Sequence, residues 1–271
     1  MTIIDLETAQ GGFRRAMEDL LLEPCNTRST VQRRQRPDER LGAESQETPG
    51  PMKLIVGNKN YSSWSLRGWL AAKQSGLVFE EITVPLYSDE FEAERDGGEL
   101  RPSSGKVPIL WDDEVVVWDS LAILDYLADK VGRERYWPKD DVARGLARSM
   151  VAEMHSSYQA LRSECPMNIR RRFDGFAPGE GARQDMVRIL SLWAESRSRF
   201  GGGGPFLFGT FGAADIFYAP VVSRFISYQV PVPGFAAAYM QAIWEHDWMR
   251  QWVAASESEE WVIEQYEAQP A

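Results

Sequence analysis

The sequence is poor in cysteine and histidine, with two of each in 271 residues. Cys25 and Cys165 cannot build a disulfide scaffold, and a reducing cytoplasm is the simpler setting for them. Four scattered cysteines and histidines exclude a structural zinc site, so no metal is expected. The same scarcity argues against Cys–His or Ser–His nucleophilic catalysis. Long apolar runs are missing too: nothing approaches the ~18–20 residues of a membrane span. The N-terminus lacks the basic start and apolar core of a secretory signal. Basic charge is outweighed, 30 Lys and Arg against 40 Asp and Glu, for a net charge of −10. Such a chain repels phosphate backbones and anionic membranes, which disfavours both as partners. What is present is apolar material, 44% of residues, enough for one large domain or two ordinary ones.

Residues 1–51 differ from the rest. Arg33-Arg-Gln-Arg-Pro37 and Glu44-Ser-Gln-Glu-Thr-Pro-Gly-Pro51 mix charge with few aromatics. Such a segment buries too little to offset chain entropy. It is expected to be a disordered tail, or a mis-assigned start with translation beginning at Met52. From Met52 the pattern sharpens. Lys53-Leu-Ile-Val-Gly57 reads as a strand. Leu66, Trp69 and Leu70 lie at i, i+3 and i+4 behind the capping serines Ser62 and Ser63, which predicts a helix stopped by Gly76. Alternation at Ile82, Val84 and Leu86 predicts a second strand. Residues 105–111 and 115–118 read as a hairpin turning at Asp112-Asp113-Glu114. Asp119-Ser120 caps a helix faced by Leu121, Leu124, Leu127, Ala128 and Val131. This order predicts a compact α/β sandwich. Beyond Tyr136-Trp-Pro138 only helical spacing is found, at 144–165, 183–200, 212–229, 234–245 and about 247–267. The predicted organisation is a first domain over 52–133, a linker at 134–140 and an all-α domain over 141–268.

Three segments carry a resemblance. Lys106-Val-Pro-Ile-Leu110 and Trp118-Asp-Ser-Leu-Ala-Ile123 lie in the first half, and Phe208-Gly-Thr-Phe-Gly-Ala-Ala-Asp215 lies in the helical half. In this order the chain resembles the cytosolic glutathione S-transferases. That implies an α+β thioredoxin-like N-terminal domain followed by an all-helical C-terminal domain. The loop Tyr61-Ser-Ser-Trp-Ser-Leu-Arg67 is similar to the serine-type loop of the zeta and theta classes, and points to a bacterial, serine-type member. The resemblance covers Met52 to about residue 265.

The serines have a structural reading, helix N-capping, and a chemical one. A helix N-terminus with free N–H groups favours a thiolate, and a hydroxyl can donate to its sulfur. Lowering a thiol pKa from ~8.5 to ~6.5 raises the thiolate fraction at pH 7 to roughly three quarters. The resemblance implies Ser62 as the catalytic hydroxyl, with Ser63 the alternative one residue on. It also implies a cis Val107-Pro108 bond that turns the Val107 backbone toward the cysteinyl part of glutathione, a form of strand addition. Ser120 and Asp119 are implied for the γ-glutamyl carboxylate and amine, and Lys106 or Lys59 for the glycyl carboxylate. Trp64, which stands where the zeta loop has cysteine, Arg162 and Asn168 are acceptor-site candidates. The Arg170-Arg-Arg172 run and His155 read more simply as a solvated face and a packed histidine. Gly212 occupies a position where the family usually has Ser or Thr, ahead of Asp215, and that site is expected to be structural.

The expected function is glutathione-dependent transfer to a small electrophile by a cytoplasmic homodimer, with glutathione as co-substrate. The alternatives are a non-catalytic binding or interaction member of the fold, a zeta-like isomerase, and redox chemistry at Cys165.

Overall fold

The computed structural model describes residues 52–267. The expectation for residues 1–51 lies outside this range. Strand β1 (Met52–Val56) leads through a loop into helix α1 (Ser63–Ser75) and strand β2 (Phe79–Thr83), giving a strand–helix–strand unit. Helix α2 (Asp89–Asp96), strands β3 (Ile109–Asp112) and β4 (Val115–Trp118) and helix α3 (Ser120–Val131) complete the first half. The sheet order is β2-β1-β3-β4. β1 and β2 are parallel, with Met52 opposite Phe79, and β3 runs antiparallel to both β1 and β4.

Alternation along the strands sorts side chains to two faces. Leu54, Val56 and Leu110 meet Leu66, Leu70, Leu124 and Leu127 of α1 and α3 in the larger core. Ile55 and Ile109 point the other way, to Val84 and Leu100. The helical half consists of α4 (Asp141–Ser156), α5 (Gln159–Glu164), α6 (Glu180–Phe200), α7 (Ala213–Ser227), α8 (Gly234–Trp244) and α9 (Asp247–Glu257). Helix α7 is buried along nearly its whole length and packs on α1 and α4, so the larger core runs through both halves.

Several boundaries differ from the sequence reading, each for a local reason. β2 starts at Phe79 and ends at Thr83; Val84 still donates to the Val56 carbonyl at 2.9 Å, but Pro85 has no N–H with which to continue. β3 starts at Ile109, beyond Pro108, where the 105–111 run had suggested a longer strand. The helix read over 144–165 is two helices. Asp140 caps the first by accepting the Ala143 N–H at 2.8 Å, and Tyr158 adopts φ 64° between them. The tyrosine is held in that turn by its hydroxyl, which donates to Glu153 at 2.8 Å. Helix α9 ends at Glu257, well short of 267, and the chain continues as a strap along the β1–α1 loop.

Candidate active site

The loop between β1 and α1 is fixed from several sides. Asn58 accepts the Leu86 N–H at 2.8 Å, and its carbonyl accepts from Tyr61 and Ser62 at 3.2 and 2.8 Å. Asn60 donates to Asn168 Oδ1 at 3.0 Å and accepts the Arg170 N–H at 2.9 Å. The strap adds Glu259, whose carboxylate accepts the Lys59 and Asn60 N–H groups at 2.6 and 3.1 Å. Burial pushes the Glu259 carboxyl up; those N–H groups, Lys59 and Arg170 oppose this. Asn60, Tyr61, Ser62 and Ser63 are all buried as a result.

A cleft of about 480 Å³ opens beside this loop. Ser62, Ser63, Trp64, Val107, His155 and Arg162 line it, with Arg224 and Tyr266. The two serines differ in their bonding. Ser62 is the N-cap of α1; its Oγ accepts the Ser65 N–H at 3.3 Å and donates to Ser65 Oγ at 2.8 Å. Ser63 Oγ accepts from Arg224 Nη2 at 3.3 Å. Val107 reaches the cleft at a cis bond to Pro108, as the resemblance implies. Gly68 of α1 lets the helix pack directly on that proline: a Cβ there would lie 2.6 Å from Pro108 Cγ.

Asp119 lines an adjoining hollow that shares His155 with the cleft; Ser120 follows it, buried, at the start of α3. Asp119 takes φ 74° and accepts the Leu121 N–H at 2.8 Å, and its other oxygen lies 3.5 Å from His155 Nε2. Burial first, then Arg67 and Arg162, hold the His155 imidazolium below its ordinary pKa, with Asp119 opposing. Ser120 Oγ is fully buried and, among the described residues, has no hydrogen-bond partner.

Of the remaining candidates, Trp64 forms one wall of the cleft, 36% exposed, with its ring edge-on to His155 at 5.2 Å. Arg162 lines the cleft and is anchored through Nε to the Ser157 carbonyl at 2.9 Å. Lys106 is exposed and outside the cleft, and among the described residues it is hydrogen-bonded through its backbone to Ser103. Asn168 is fully buried and does not line the cleft; its amide is consumed by Asn60, the Tyr266 carbonyl and Glu267. It braces the loop from beneath.

Two arginines that were not site candidates adjoin it: Arg224 lines the cleft, and Arg67 packs against the wall residue Trp64. Arg67 is buried between the rings of Trp64 and Phe217, at 3.9 and 4.9 Å, and none of its three nitrogens has a partner among the described residues. Burial, then Arg162 and Arg224, push its pKa well down. Arg224 rises from α7, buried, and burial with the Arg162 charge brings it to about 10. Among the described residues no carboxylate lies within ion-pair distance of Arg67, Arg162 or Arg224, although Asp119 and Asp185 act on Arg67 and Arg162 from further off. The signal for Arg224 was one charge in the otherwise uncharged, largely apolar run Ile216–Phe225.

Cys165 is buried and its thiol is pushed up to about 12, which leaves it protonated and unreactive. Among the described residues no group of three or more His, Cys, Asp or Glu is placed to hold a metal, and no helix is long and apolar enough to cross a membrane.

A model of the glutathione S-transferase N-terminal domain matches residues 61–130, and one of the C-terminal domain matches 157–255. The chain belongs to the glutathione S-transferase family. Its fold is that of the family, with the two matched domains in the family's order. It is a glutathione S-transferase-like enzyme. Among its relatives is a probable maleylacetoacetate isomerase of Caenorhabditis elegans, 26% identical over 192 residues, 65% of this chain and 87% of that one. A zeta-class glutathione S-transferase of Euphorbia esula is 31% identical over 125 residues, 46% of this chain and 55% of that one. Among solved structures, a Burkholderia glutathione transferase homologue with bound glutathione superposes with a TM-score of 0.59 at 24% identity, covering 78% of this chain and all of the other.

Proposed function

We propose that this glutathione S-transferase binds glutathione across the Val107 backbone and the Asp119-Ser120 helix start, and activates its thiol at the N-terminus of α1 for attack on a small electrophile. The observation that carries this reading is the convergence of Ser62, Ser63 and the cis-linked Val107 on one cleft, with Asp119 lining the adjoining hollow and the unpartnered Ser120 hydroxyl buried one residue on. The Val107 backbone, just before β3, suits the peptide of glutathione. The Ser120 hydroxyl and the N–H groups of α3 suit a carboxylate. In the reaction the thiol proton leaves to water and the serine hydroxyl donates a hydrogen bond to the sulfur anion. The sulfur then forms a bond to the electrophilic carbon, and the leaving group departs with its electron pair. Thiolate formation and proximity supply the rate. No serine is alkylated and no histidine base is required.

The buried guanidinium groups favour a finer statement about the acceptor. Positive charge buried without a facing carboxylate is costly, and a substrate anion would offset it. An electrophile bearing a carboxylate fits Arg162 and Arg224 at the cleft wall. This also supports a second reading, glutathione-dependent isomerisation of an unsaturated acid, in which sulfur adds to a C=C carbon, the bond rotates and glutathione is expelled unchanged. The relative named as a probable maleylacetoacetate isomerase agrees with that reading. A cytoplasmic homodimer is proposed in keeping with the family.

The test pairs calorimetric binding of glutathione with conjugation of 4-chloro-3-nitrobenzoate and its neutral methyl ester. We expect glutathione to bind and the acid to be preferred in kcat/KM by about tenfold, with the preference lost in Arg162→Gln. Binding without turnover of any electrophile would favour the non-catalytic reading.

A further inference from the structure

A serine hydroxyl has one hydrogen to donate and two lone pairs to accept with. Which serine can donate to a sulfur therefore depends on what already occupies its oxygen. Ser62 Oγ is closed into the protein, since it accepts from Ser65 N–H at 3.3 Å and gives its hydrogen to Ser65 Oγ at 2.8 Å. Ser65 Oγ in turn accepts the Gly57 N–H at 2.9 Å and is fully buried. Ser63 Oγ is bonded differently. Its one partner among the described residues is Arg224 Nη2 at 3.3 Å, a donor, so its own hydrogen is uncommitted. Both serines line the cleft.

The surroundings of Arg224 hold it in place for this contact. It is 5% exposed, its Nε donates to the Cys165 carbonyl at 2.8 Å, and its Nη1 donates to the Pro220 carbonyl at 3.1 Å. Two carbonyls thus hold the guanidinium plane, leaving Nη2 aimed at Ser63. A surface ion pair would explain a charged residue on α7, but no carboxylate faces Arg224 among the described residues. A cation is retained in a buried helix whose neighbours Phe225 and Val222 are apolar and buried.

We propose that Arg224 is a positioning residue for thiol activation: its guanidinium fixes the Ser63 hydroxyl as an acceptor, so that the Ser63 hydrogen, and not that of Ser62, is presented to the glutathione sulfur. A donor on one lone pair polarises the O–H and strengthens the bond it gives. The nearby cation also favours the anionic sulfur. No bond to Ser63 forms, and the thiol proton goes to water. The inference rests on the reading of this cleft as a glutathione site.

The experiment follows the ultraviolet absorbance of enzyme-bound glutathione thiolate against pH, together with the pH profile of kcat/KM, in wild type, Arg224→Met, Arg224→Lys, Ser63→Ala and Ser62→Ala. We expect the wild-type bound thiol to ionise below its solution value. Arg224→Met and Ser63→Ala should each raise that midpoint by about one unit, a tenfold loss of kcat/KM on the acid limb, with glutathione still bound. Arg224→Lys should restore part of the shift. Ser62→Ala should move it less than Ser63→Ala does, and the Arg224→Met, Ser63→Ala double variant should lose little beyond either single one. A purely structural arginine would lower stability without moving the midpoint. A wild-type shift that survives unchanged in both Arg224→Met and Ser63→Ala overturns the inference and leaves the glutathione reading intact. If Arg224→Met does not fold by circular dichroism, an unchanged midpoint in Ser63→Ala overturns it alone. No shift in wild type overturns both the inference and the reading beneath it.

Discussion

The carboxylate of Glu259 accepts the backbone N–H of Lys59 at 2.6 Å, across 200 positions of sequence. With the second bond to Asn60, the segment after α9 clamps the loop that carries Ser62 and Ser63. Arg170 fastens the same segment by donating to the carbonyls of Glu259 and Trp261 at 2.6 and 3.1 Å. Removing the carboxylate leaves two loop N–H groups unpaired, at a cost of roughly 1–3 kcal/mol each if no water replaces it. Glu259→Ala should therefore raise KM for glutathione several-fold, with a smaller effect on kcat, and lower the melting temperature. Steady-state kinetics with glutathione varied checks this, and unchanged kinetics would mean that the loop holds without the strap.

Gly68 leads to a second expectation. Its missing side chain allows α1 to lie against Pro108, and an added Cβ would stand 2.6 and 2.9 Å from two ring carbons. A proline ring cannot swing away as a flexible side chain could. Overpacking of this kind costs about 1–3 kcal/mol. Gly68→Ala should reduce thermal stability and weaken glutathione binding together, measured by calorimetry, because helix and proline both border the site.

Asp215 makes stability depend on pH. Its oxygens accept the Leu207 and Gly212 N–H groups at 3.1 and 2.9 Å, and burial raises its carboxyl from 3.8 to about 7. A carboxyl whose folded value lies above its unfolded one binds the proton more tightly when folded. Its stabilising contribution is full below about 3.8 and is lost as pH rises toward about 7. Denaturant midpoints of wild type should fall over that window, and Asp215→Asn should remove the slope. An identical slope in the variant would place the titrating group elsewhere.

Cys165 should be silent. With its thiol raised to about 12 by burial, it should resist a thiol reagent at pH 8 in a Cys25→Ser background until the chain is unfolded. Cys165→Ser should conserve conjugation activity, and its loss would revive the redox alternative.

The parts of the site legible in the sequence are those that are local. Ser62-Ser63, Val107-Pro108 and Asp119-Ser120 each sit at the border of an element, where capping and proline chemistry mark a short window. The all-helical second half and the hairpin followed from periodicity. What was not legible depends on long-range packing. Glu259 and Arg224 meet the serine loop from 160 to 200 positions away, and a single glutamate or arginine has no local pattern to announce it. Asn168 shows the converse: its position near the site was foreseeable, but only the folded chain shows its amide consumed by Asn60, Tyr266 and Glu267. Gly212 is explained the same way, since a Cβ there would lie 2.7 Å from the Tyr136 carbonyl oxygen, which excludes the usual Ser or Thr.

Thiol activation is tested most directly by the ionisation of glutathione bound to the wild-type enzyme, followed by thiolate absorbance from pH 5 to 9. The midpoint should lie at least about one unit below the ~8.5 of an ordinary thiol. Glutathione that binds yet ionises as it does in solution would contradict it.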